Sequence, residues 1–262
     1  MSMAATRPAR RFTLNRALPA LTGLGTVVVF FLLMELAIRT NLLSQFIVPP
    51  PSEIIASFPR VIVEEHVLNR FMLTLGECLA AGVMLTVVGV SLGVLMQRFK
   101  LLQQACETWV AALASAPVVL CYPLFLVIFG RNAWTIIMMG FVAGLPPVIL
   151  KTLEGITGVR RVLVNVGRSF KLTESQQFWK ILFPAALPNI FVGIRLGLIF
   201  ALINVVGVEF LINFGGLGQL INELAERYDL AGTYAAICFV VLVSVLFFMA
   251  VEKAERWLTR AE

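Results

Sequence analysis

The sequence predicts an all-α integral membrane protein with about six transmembrane helices. Of its 262 residues, 59% are hydrophobic and 14% are charged, whereas charged residues make up roughly 25% of an ordinary soluble domain. The apolar residues lie in long blocks, and no low-complexity linker divides them. We expect one membrane domain at 18–251, a cytoplasmic segment at 1–17 and a cytoplasmic tail at 252–262.

Six blocks are long enough to cross a membrane, which takes roughly 20 mostly apolar residues. All are uncharged except one, which contains Arg195 and Glu209 near its two ends. The first block is too long for a secretion signal, whose apolar core spans roughly 7–15 residues, so we expect it to anchor the chain. In chain order the blocks are Ala17–Met34, Cys78–Gln97, Thr108–Gly130, Asn132–Leu150, Ile190–Phe214 and Leu230–Val251.

Lysine and arginine indicate the orientation, because short cytoplasmic segments of membrane proteins retain them. Most of the 21 basic residues fall before the first block, in the second-to-third and fourth-to-fifth connections, and in the tail. Arg7, Arg10, Arg11 and Arg16 precede the first block, and Arg260 lies in the tail. Both termini are therefore expected in the cytoplasm, and the net charge of +6 requires no nucleic-acid partner.

Several kinds of active site have no support in the sequence. The four cysteines lack C-x-x-C and metal-ligand spacing, and the single histidine, His66, cannot form a metal site alone. No phosphate-binding loop of the G-x-x-x-x-G-K-[ST] type occurs, so nucleotide hydrolysis would take place on another polypeptide. We expect a transport subunit with no catalytic residues, no metal and no cofactor of its own.

The most informative segment is the basic connection between the fourth and fifth blocks, at 152–189. Thr173 and Gln176 have the spacing of a capping box, which predicts that a short helix begins there. Pro184 is expected to end this helix. Pro188 suits the first turn of the next membrane helix.

The short helix would carry an aromatic face made of Phe178, Trp179 and Phe183. A contiguous apolar patch in water is usually a binding site, so this face predicts a partner protein. The alternative is that the aromatic side chains dip into the lipid interface.

The connection resembles the cytoplasmic "EAA" loop of binding-protein-dependent ABC permeases, and is most similar to that of the nitrate, sulfonate and taurine permease group. The resemblance rests on the runs Val164–Thr173 and Leu182–Pro188, with Gln177-Phe178 between them. Further similarities to this group, spread over nearly the whole chain, are Met34–Glu35, Phe46–Ser52, Pro117, Pro123, Phe129–Gly130, Gly193–Leu196, Glu209–Phe210 and Gly216–Gly218.

The resemblance implies a type I ABC importer permease fold in the bacterial inner membrane. It also implies two ABC ATPase subunits that bind ATP and Mg²⁺, a second permease subunit and an extracytoplasmic substrate-binding protein. The implied substrate is a small anion such as nitrate, a sulfonate or taurine. In the family the loop forms a coupling helix that sits in a groove of the ATPase, which assigns coupling here to Asn165, Gly167, Phe170, Lys171, Thr173, Gln176, Phe178, Trp179 and Phe183.

Two positions of the loop depart from the family pattern. The usual Glu-Ala-Ala is Asn165-Val166-Gly167 here, and a usual glycine is Lys171. These changes either indicate pairing with a second, more typical permease subunit or leave docking unaffected. We expect a homodimer, with the heterodimer as the alternative.

Charges inside the membrane are costly, so the sequence offers further candidate sites there. Along one helix, Arg195 and Glu209 share a stripe but stand about 21 Å apart. We expect this stripe, together with Asn204, to face the pore or the dimer interface; pairing with neighbouring helices is the alternative. Glu77, near the end of its block, is expected to reach the membrane surface.

Prolines and glycines also fall inside the predicted helices. Glycines such as Gly193 and Gly197 have the spacing that allows close helix contact. Breaks in the third and fourth helices are expected at Pro117, Pro123, Pro146 and Pro147.

Two other classes of membrane protein remain possible at this point. An ATP-independent channel or secondary carrier predicts inverted repeats, and the sequence shows no convincing repeat. A membrane-embedded enzyme would need clustered catalytic or metal-binding residues at one depth, and none is apparent.

Overall fold

The structure, a computed structural model, describes residues 14–44 and 47–259. Arg7, Arg10, Arg11, Phe46 and Arg260 lie outside the described residues, as does most of the predicted segment at 1–17. The described residues form helices joined by short turns and contain no strand. The predicted all-α class is therefore confirmed.

The described part of the chain forms eleven α-helices. Two short turns of other helical types occur, a 3₁₀ turn at Val118–Cys121 and a π-helical turn at Phe178–Leu182. The α-helices are α1 (Leu14–Arg39), α2 (Pro51–Glu64), α3 (Val67–Arg98), α4 (Lys100–Ser115), α5 (Tyr122–Phe129), α6 (Ala133–Thr157), α7 (Arg161–Ser169), α8 (Glu174–Gln177), α9 (Phe183–Ile212), α10 (Gly216–Glu226) and α11 (Leu230–Thr259).

Each of the six apolar blocks coincides, to within one or two residues at its ends, with part of one of these helices or of a bent pair. Among the described residues, four helical segments are long and apolar enough to cross a membrane: α3, α6, α11 and the continuous segment Glu174–Ile212. The pair formed by α4 and Val118–Phe129, bent by 90°, brings the number to as many as five. The first block lies in α1.

Helices α3, α6 and α9 form the centre of the subunit, where glycines allow close contact. A Cβ atom on Gly197 of α9 would lie 2.7 Å from the carbonyl oxygen of Gly144 in α6. Further along α6, a Cβ on Gly93 of α3 would lie 2.6 Å from Cβ of Thr152. Larger residues at these crossings would push the helices apart, so the glycines fix how closely the three helices pack.

Two apolar clusters mark the opposite ends of this bundle. At the start of α3, Val67 packs with Ile54 of α2 and Leu217 of α10. At the other end of α3, Met96 packs with Leu153, near the end of α6. Helices α2 and α10 therefore lie at one end of the bundle, and the α7–α8 connection that follows α6 lies at the other.

Pro184 does not end the short helix that begins at Glu174, so that prediction is wrong. The chain passes through the π-helical turn, in which the Phe183 amide donates to the Phe178 carbonyl, and continues directly into α9. Pro184 follows this π-helical turn directly, at the start of α9, and the helix continues past it. Pro188 lies further inside α9 than predicted.

The predicted breaks in the third and fourth helices are found at only some of the prolines. Pro117 stands at the bend that follows α4, and Pro123 lies in the first turn of α5. Helix α6, in contrast, runs without interruption through Pro146 and Pro147, so the prediction of a break there is wrong. The Pro147 carbonyl faces Gly193 of α9, so α6 packs closely against α9 beside these prolines.

Candidate functional site

The connection between α6 and α9 folds into a small hairpin that begins its second arm with a capping box. Thr173 Oγ1 accepts a hydrogen bond from the Gln176 amide at 3.3 Å, and Gln176 Oε1 accepts from the Thr173 amide at 3.1 Å. These two bonds satisfy amides that the first turn of a helix leaves free. The predicted helix start at Thr173 is confirmed.

The turn between α7 and α8 is built on Lys171, whose φ of 54° is in the left-handed region. The Lys171 amide donates to the Arg168 carbonyl at 2.9 Å, and the Leu172 amide donates to the Gly167 carbonyl at 3.1 Å. This pair of bonds is the Schellman arrangement that ends a helix, and its left-handed position usually holds glycine. Lys171 therefore occupies a glycine position with a side chain.

Helix α7 packs directly on the π-helical turn. Gly167 is buried there, and a Cβ on it would lie 2.6 Å from Cδ1 of Ile181. Gln177 Nε2 also donates to the Val164 carbonyl at 3.2 Å. The two arms of the hairpin thus hold each other in place.

Phe178, Trp179 and Phe183 form a cluster in which every ring contacts the other two, with centroids 5.1 to 5.9 Å apart. Phe178 and Phe183 pack against Ile156 of α6 and Ala186 of α9. Trp179 remains 62% exposed. The cluster therefore joins the hairpin to the membrane helices on one side and leaves an indole ring available on the other.

Helix α7 adds further exposed apolar side chains to this ring. Val162, Val166 and Phe170 follow one another at i, i+4 spacing, which places them on one face, and Phe170 is 76% exposed. We call these three residues and Trp179 the hairpin surface. Asn165 also lies exposed on α7.

The predicted stripe of Arg195 and Glu209 is wrong, because Glu209 is fully buried inside the subunit. Its carboxylate accepts hydrogen bonds from Thr74 Oγ1 of α3 at 2.7 Å and from the Gly218 amide of α10 at 2.8 Å. Arg195 pairs with Glu255 of α11 at 3.1 Å. Neighbouring helices thus supply polar partners to the buried Glu209 and to the half-buried Arg195, as a charge inside the membrane requires.

Asn204 is half-buried, and its side chain donates to the Phe200 carbonyl at 3.0 Å. Its role at the pore or the dimer interface stays a prediction.

Glu77 does not reach the membrane surface as predicted. It is 5% exposed and lies beside Glu209. Sequence reasoning missed this grouping of Glu77, Glu209 and Thr74. The available signal was the spacing of Thr74 and Glu77, which puts both on one face of α3.

Ion pairs join the helices at the end of the bundle away from the hairpin. Arg60 of α2 contacts Asp229, just before α11, at 2.5 Å, and Arg70 of α3 contacts Glu223 of α10 at 2.7 Å. Burial raises the pKa of Asp229, but hydrogen bonds from Arg60 and the Gly232 amide outweigh it, so the pKa lies below its ordinary value. These contacts fasten α2 and α10 to the membrane helices.

No group of three or more His, Cys, Asp or Glu side chains is placed to hold a metal ion anywhere in 14–44 or 47–259. The candidate sites are therefore the hairpin surface, the buried pair Glu77 and Glu209, and the ion pairs at the end of the bundle away from the hairpin. Residues 86–260, which include the hairpin, match the model of the family described as binding-protein-dependent transport system inner membrane component. The chain belongs to this family. It is thus a membrane permease component of an ABC-type transport system.

Curated relatives agree with this assignment. The chain is 28% identical to the putative aliphatic sulfonates transport permease SsuC of Bacillus subtilis, over 84% of this chain and 80% of that one. It is 21% identical to the taurine transport permease TauC of Escherichia coli, over 90% and 88%. The nitrate import permease NrtB of Synechocystis sp. is 31% identical over 61% of this chain and 58% of its own length.

Solved structures show the same fold. A structure of the MetNI methionine ABC transporter in an inward-facing conformation matches with a TM-score of 0.63 at 20% identity, over 74% of this chain and 95% of that one. An amino acid ABC transporter matches with a TM-score of 0.63 at 16% identity, over 78% and 98%. The permease therefore has the type I ABC importer fold predicted from its sequence.

The geometry of the permease hairpin accounts for its two departures from the family pattern. The usual glycine matches the left-handed φ that Lys171 adopts. Gly167, where the pattern has alanine, leaves the space that the Ile181 side chain fills. Asn165, Val166 and Lys171 are exposed, and Gly167 is buried. Val166 is itself part of the hairpin surface, which remains apolar.

Proposed function

We propose that this permease forms half of the pore of an ABC importer and is driven by a separate ATPase that grips the α7–α8 hairpin. The hairpin surface carries the proposal: Phe170 and Trp179 are large, exposed and apolar. Phe170 lies at the end of α7, and Trp179 lies in the π-helical turn that leads into α9. A surface of this kind at the end of a bundle suits a groove on a partner protein.

The internal packing of the hairpin suits a part that transmits force. The Phe178 and Phe183 rings join it to α6 and α9, which are the helices in closest contact at the centre of the subunit. Movement of an ATPase bound at Trp179 would therefore pass to α6 and α9 as a displacement of the hairpin. ATP and Mg²⁺ would be bound by that ATPase, and this chain would bind neither and catalyse no reaction.

The proposed assembly contains two permease chains, two ATPases and an extracytoplasmic substrate-binding protein in the bacterial inner membrane. The membrane domain at 18–251 crosses the bilayer, and both termini and the loop at 152–189 face the cytoplasm. The distribution of lysine and arginine supports this orientation. A homodimer is the simplest arrangement, because the departures at Asn165 and Lys171 leave the hairpin surface intact.

The proposed substrate is a small anion such as a sulfonate, taurine or nitrate. The printed functions of the relatives SsuC, TauC and NrtB support this class. Because selection would occur largely on the extracytoplasmic binding protein, the direct test is to measure which of these anions binds to that partner.

The coupling proposal is tested by asking whether the permease co-purifies with a phosphate-loop ATPase from the same cells. Trp179→Glu and Phe170→Glu each place a charge in the contact and are expected to abolish co-purification and ATP-driven uptake. Trp257→Glu is the matched control, since Trp257 is also an exposed tryptophan (76%) and belongs to α11 rather than to the hairpin. It should leave both measurements unchanged.

Two results would contradict the proposal. One is normal co-purification and uptake by the Trp179→Glu and Phe170→Glu variants, present in the membrane at normal amounts. The other is solute flux through the purified permease in vesicles with no ATPase, which would instead favour a channel or secondary carrier.

A further inference from the structure

Two acidic side chains, Glu77 of α3 and Glu209 of α9, are buried side by side inside membrane-spanning helices. Glu77 is 5% exposed and Glu209 is fully buried, and the two lie within hydrogen-bonding reach of each other. Across 14–44 and 47–259, neither carboxyl forms an ion pair with lysine or arginine. Arg70, also on α3, is engaged with Glu223. The pair therefore has no countercharge from a described side chain.

The surroundings of Glu209 suit a carboxylate that carries the negative charge. Its Oε1 accepts from Thr74 Oγ1 at 2.7 Å, and its Oε2 accepts from the Gly218 amide at 2.8 Å. Thr74 Oγ1 in turn accepts from the Leu217 amide at 2.9 Å. Leu217 and Gly218 belong to the first turn of α10, where free amides and the helix dipole favour a negative charge.

The surroundings of Glu77, in contrast, do not suit a negatively charged carboxylate. Its Oε2 is buried, and no described residue donates a hydrogen bond to it. An ionised carboxyl group only accepts hydrogen bonds, so two ionised carboxylates cannot bond to each other. A proton on one of them makes it a donor and also removes the repulsion between two buried charges.

The space next to the two carboxyl groups would not solvate a charge on them. A crevice of about 260 Å³ between α3, α9 and α11 reaches Thr74, and its other lining residues are apolar. A second charge at Glu77 would thus stay unsolvated, which is costly in the membrane.

We propose that Glu77 is a proton-binding site, holding a proton at neutral pH and donating it in a hydrogen bond to Glu209. This bond ties α3 to α9 directly beneath the first turn of α10. A metal cation fits the site poorly, because the amides of Leu217 and Gly218 point into it with their positive ends. The proton therefore acts as a fixed structural ligand that holds α10 on the bundle.

The test is infrared spectroscopy of the full transporter, purified with its partners and returned to lipid. At neutral pH the wild type should show the C=O stretching band of a protonated, buried carboxylic acid. Glu77→Gln should lose this band, because Glu77 is the group that carries the proton. Glu107→Gln, at an exposed carboxyl of α4, is the matched control and should keep it.

Thermal unfolding of two variants separates the proton from simple packing. The glutamine of Glu77→Gln can donate to Glu209 as the protonated acid does, so this variant should assemble with an unfolding midpoint close to that of the wild type. Glu77→Leu fills similar space but supplies no donor, so its midpoint should fall. The proposal is overturned if the wild type lacks the band, if the band survives in Glu77→Gln, or if Glu77→Gln is as unstable as Glu77→Leu.

Discussion

At the scale of single residues, Lys171 is the clearest case of a side chain placed where the backbone favours glycine. Its left-handed φ of 54° costs a residue with a Cβ roughly 1 kcal/mol relative to glycine. Lys171→Gly should therefore stabilise the hairpin by about 1 kcal/mol. Slower hydrogen–deuterium exchange of the amides in 161–182 would show this gain.

The control for Lys171→Gly is the same substitution at Lys180, an exposed residue of the π-helical turn that does not have a positive φ. There glycine only adds backbone freedom, so Lys180→Gly should speed the exchange. If Lys171→Gly also speeds it, the Lys171 side chain itself stabilises the turn, and the assignment of Lys171 as a glycine position is wrong.

At the scale of the helices, the crossing of α6 and α9 depends on Gly144. A Cβ there would collide with the Gly197 carbonyl, which is backbone and cannot move aside without shifting α9. Gly144→Ala is expected to destabilise the permease by about 1–3 kcal/mol, measured by unfolding in a detergent titration. Gly76→Ala in α3 is the control, because a Cβ at Gly76 meets nothing within 4 Å and alanine favours the helix. Equal stability of the two variants would mean that α6 and α9 do not cross as described.

The contact between α2 and the start of α11 gives a prediction about acid. The pKa of Asp229 is depressed below its ordinary value of 3.8 by Arg60 and the Gly232 amide. A depressed carboxyl pKa stabilises the fold above the ordinary value, and this stability is lost as the pH falls through and below it.

The thermal midpoint of the wild type should thus drop more between pH 5 and pH 3 than that of Asp229→Asn, which should already be lower at neutral pH. Glu53→Gln, on the exposed part of α2, should follow the wild type. Parallel curves for the wild type and Asp229→Asn would show that Asp229 does not contribute.

These elements also show why some features were predictable from the sequence and others were not. The capping box at Thr173 depends on residues three positions apart, so its spacing alone predicted it. The helix continues through Pro184 by way of a π-helical turn, and no local sequence pattern predicted that turn. Glu209 was placed wrongly because its partners, Thr74 and Gly218, come from α3 and α10 and meet it only when the bundle forms.

At the scale of the whole molecule, α3 separates the end of the bundle that holds α2 and α10 from the end that holds the hairpin. It has 32 residues, a length of roughly 48 Å at the usual rise of an α-helix, which exceeds the roughly 30 Å of the hydrocarbon core. Its first residues contact α2 and α10, and its last turn contacts the end of α6, from which the hairpin follows. Helix α2 and the hairpin must therefore lie on opposite sides of the membrane.

Cysteine labelling in whole cells tests this arrangement together with the proposed orientation. In a chain whose four cysteines are replaced by alanine, Val63→Cys on α2 and Ser175→Cys on α8 both place a thiol at an exposed position. A membrane-impermeant maleimide should label Val63→Cys in intact cells. It should label Ser175→Cys only after the membrane is permeabilised, because the proposed function places the hairpin on the cytoplasmic side. Labelling of both from outside would contradict the fold, whereas the reverse pattern would keep the fold and place the hairpin surface beyond the reach of any ATP-driven partner.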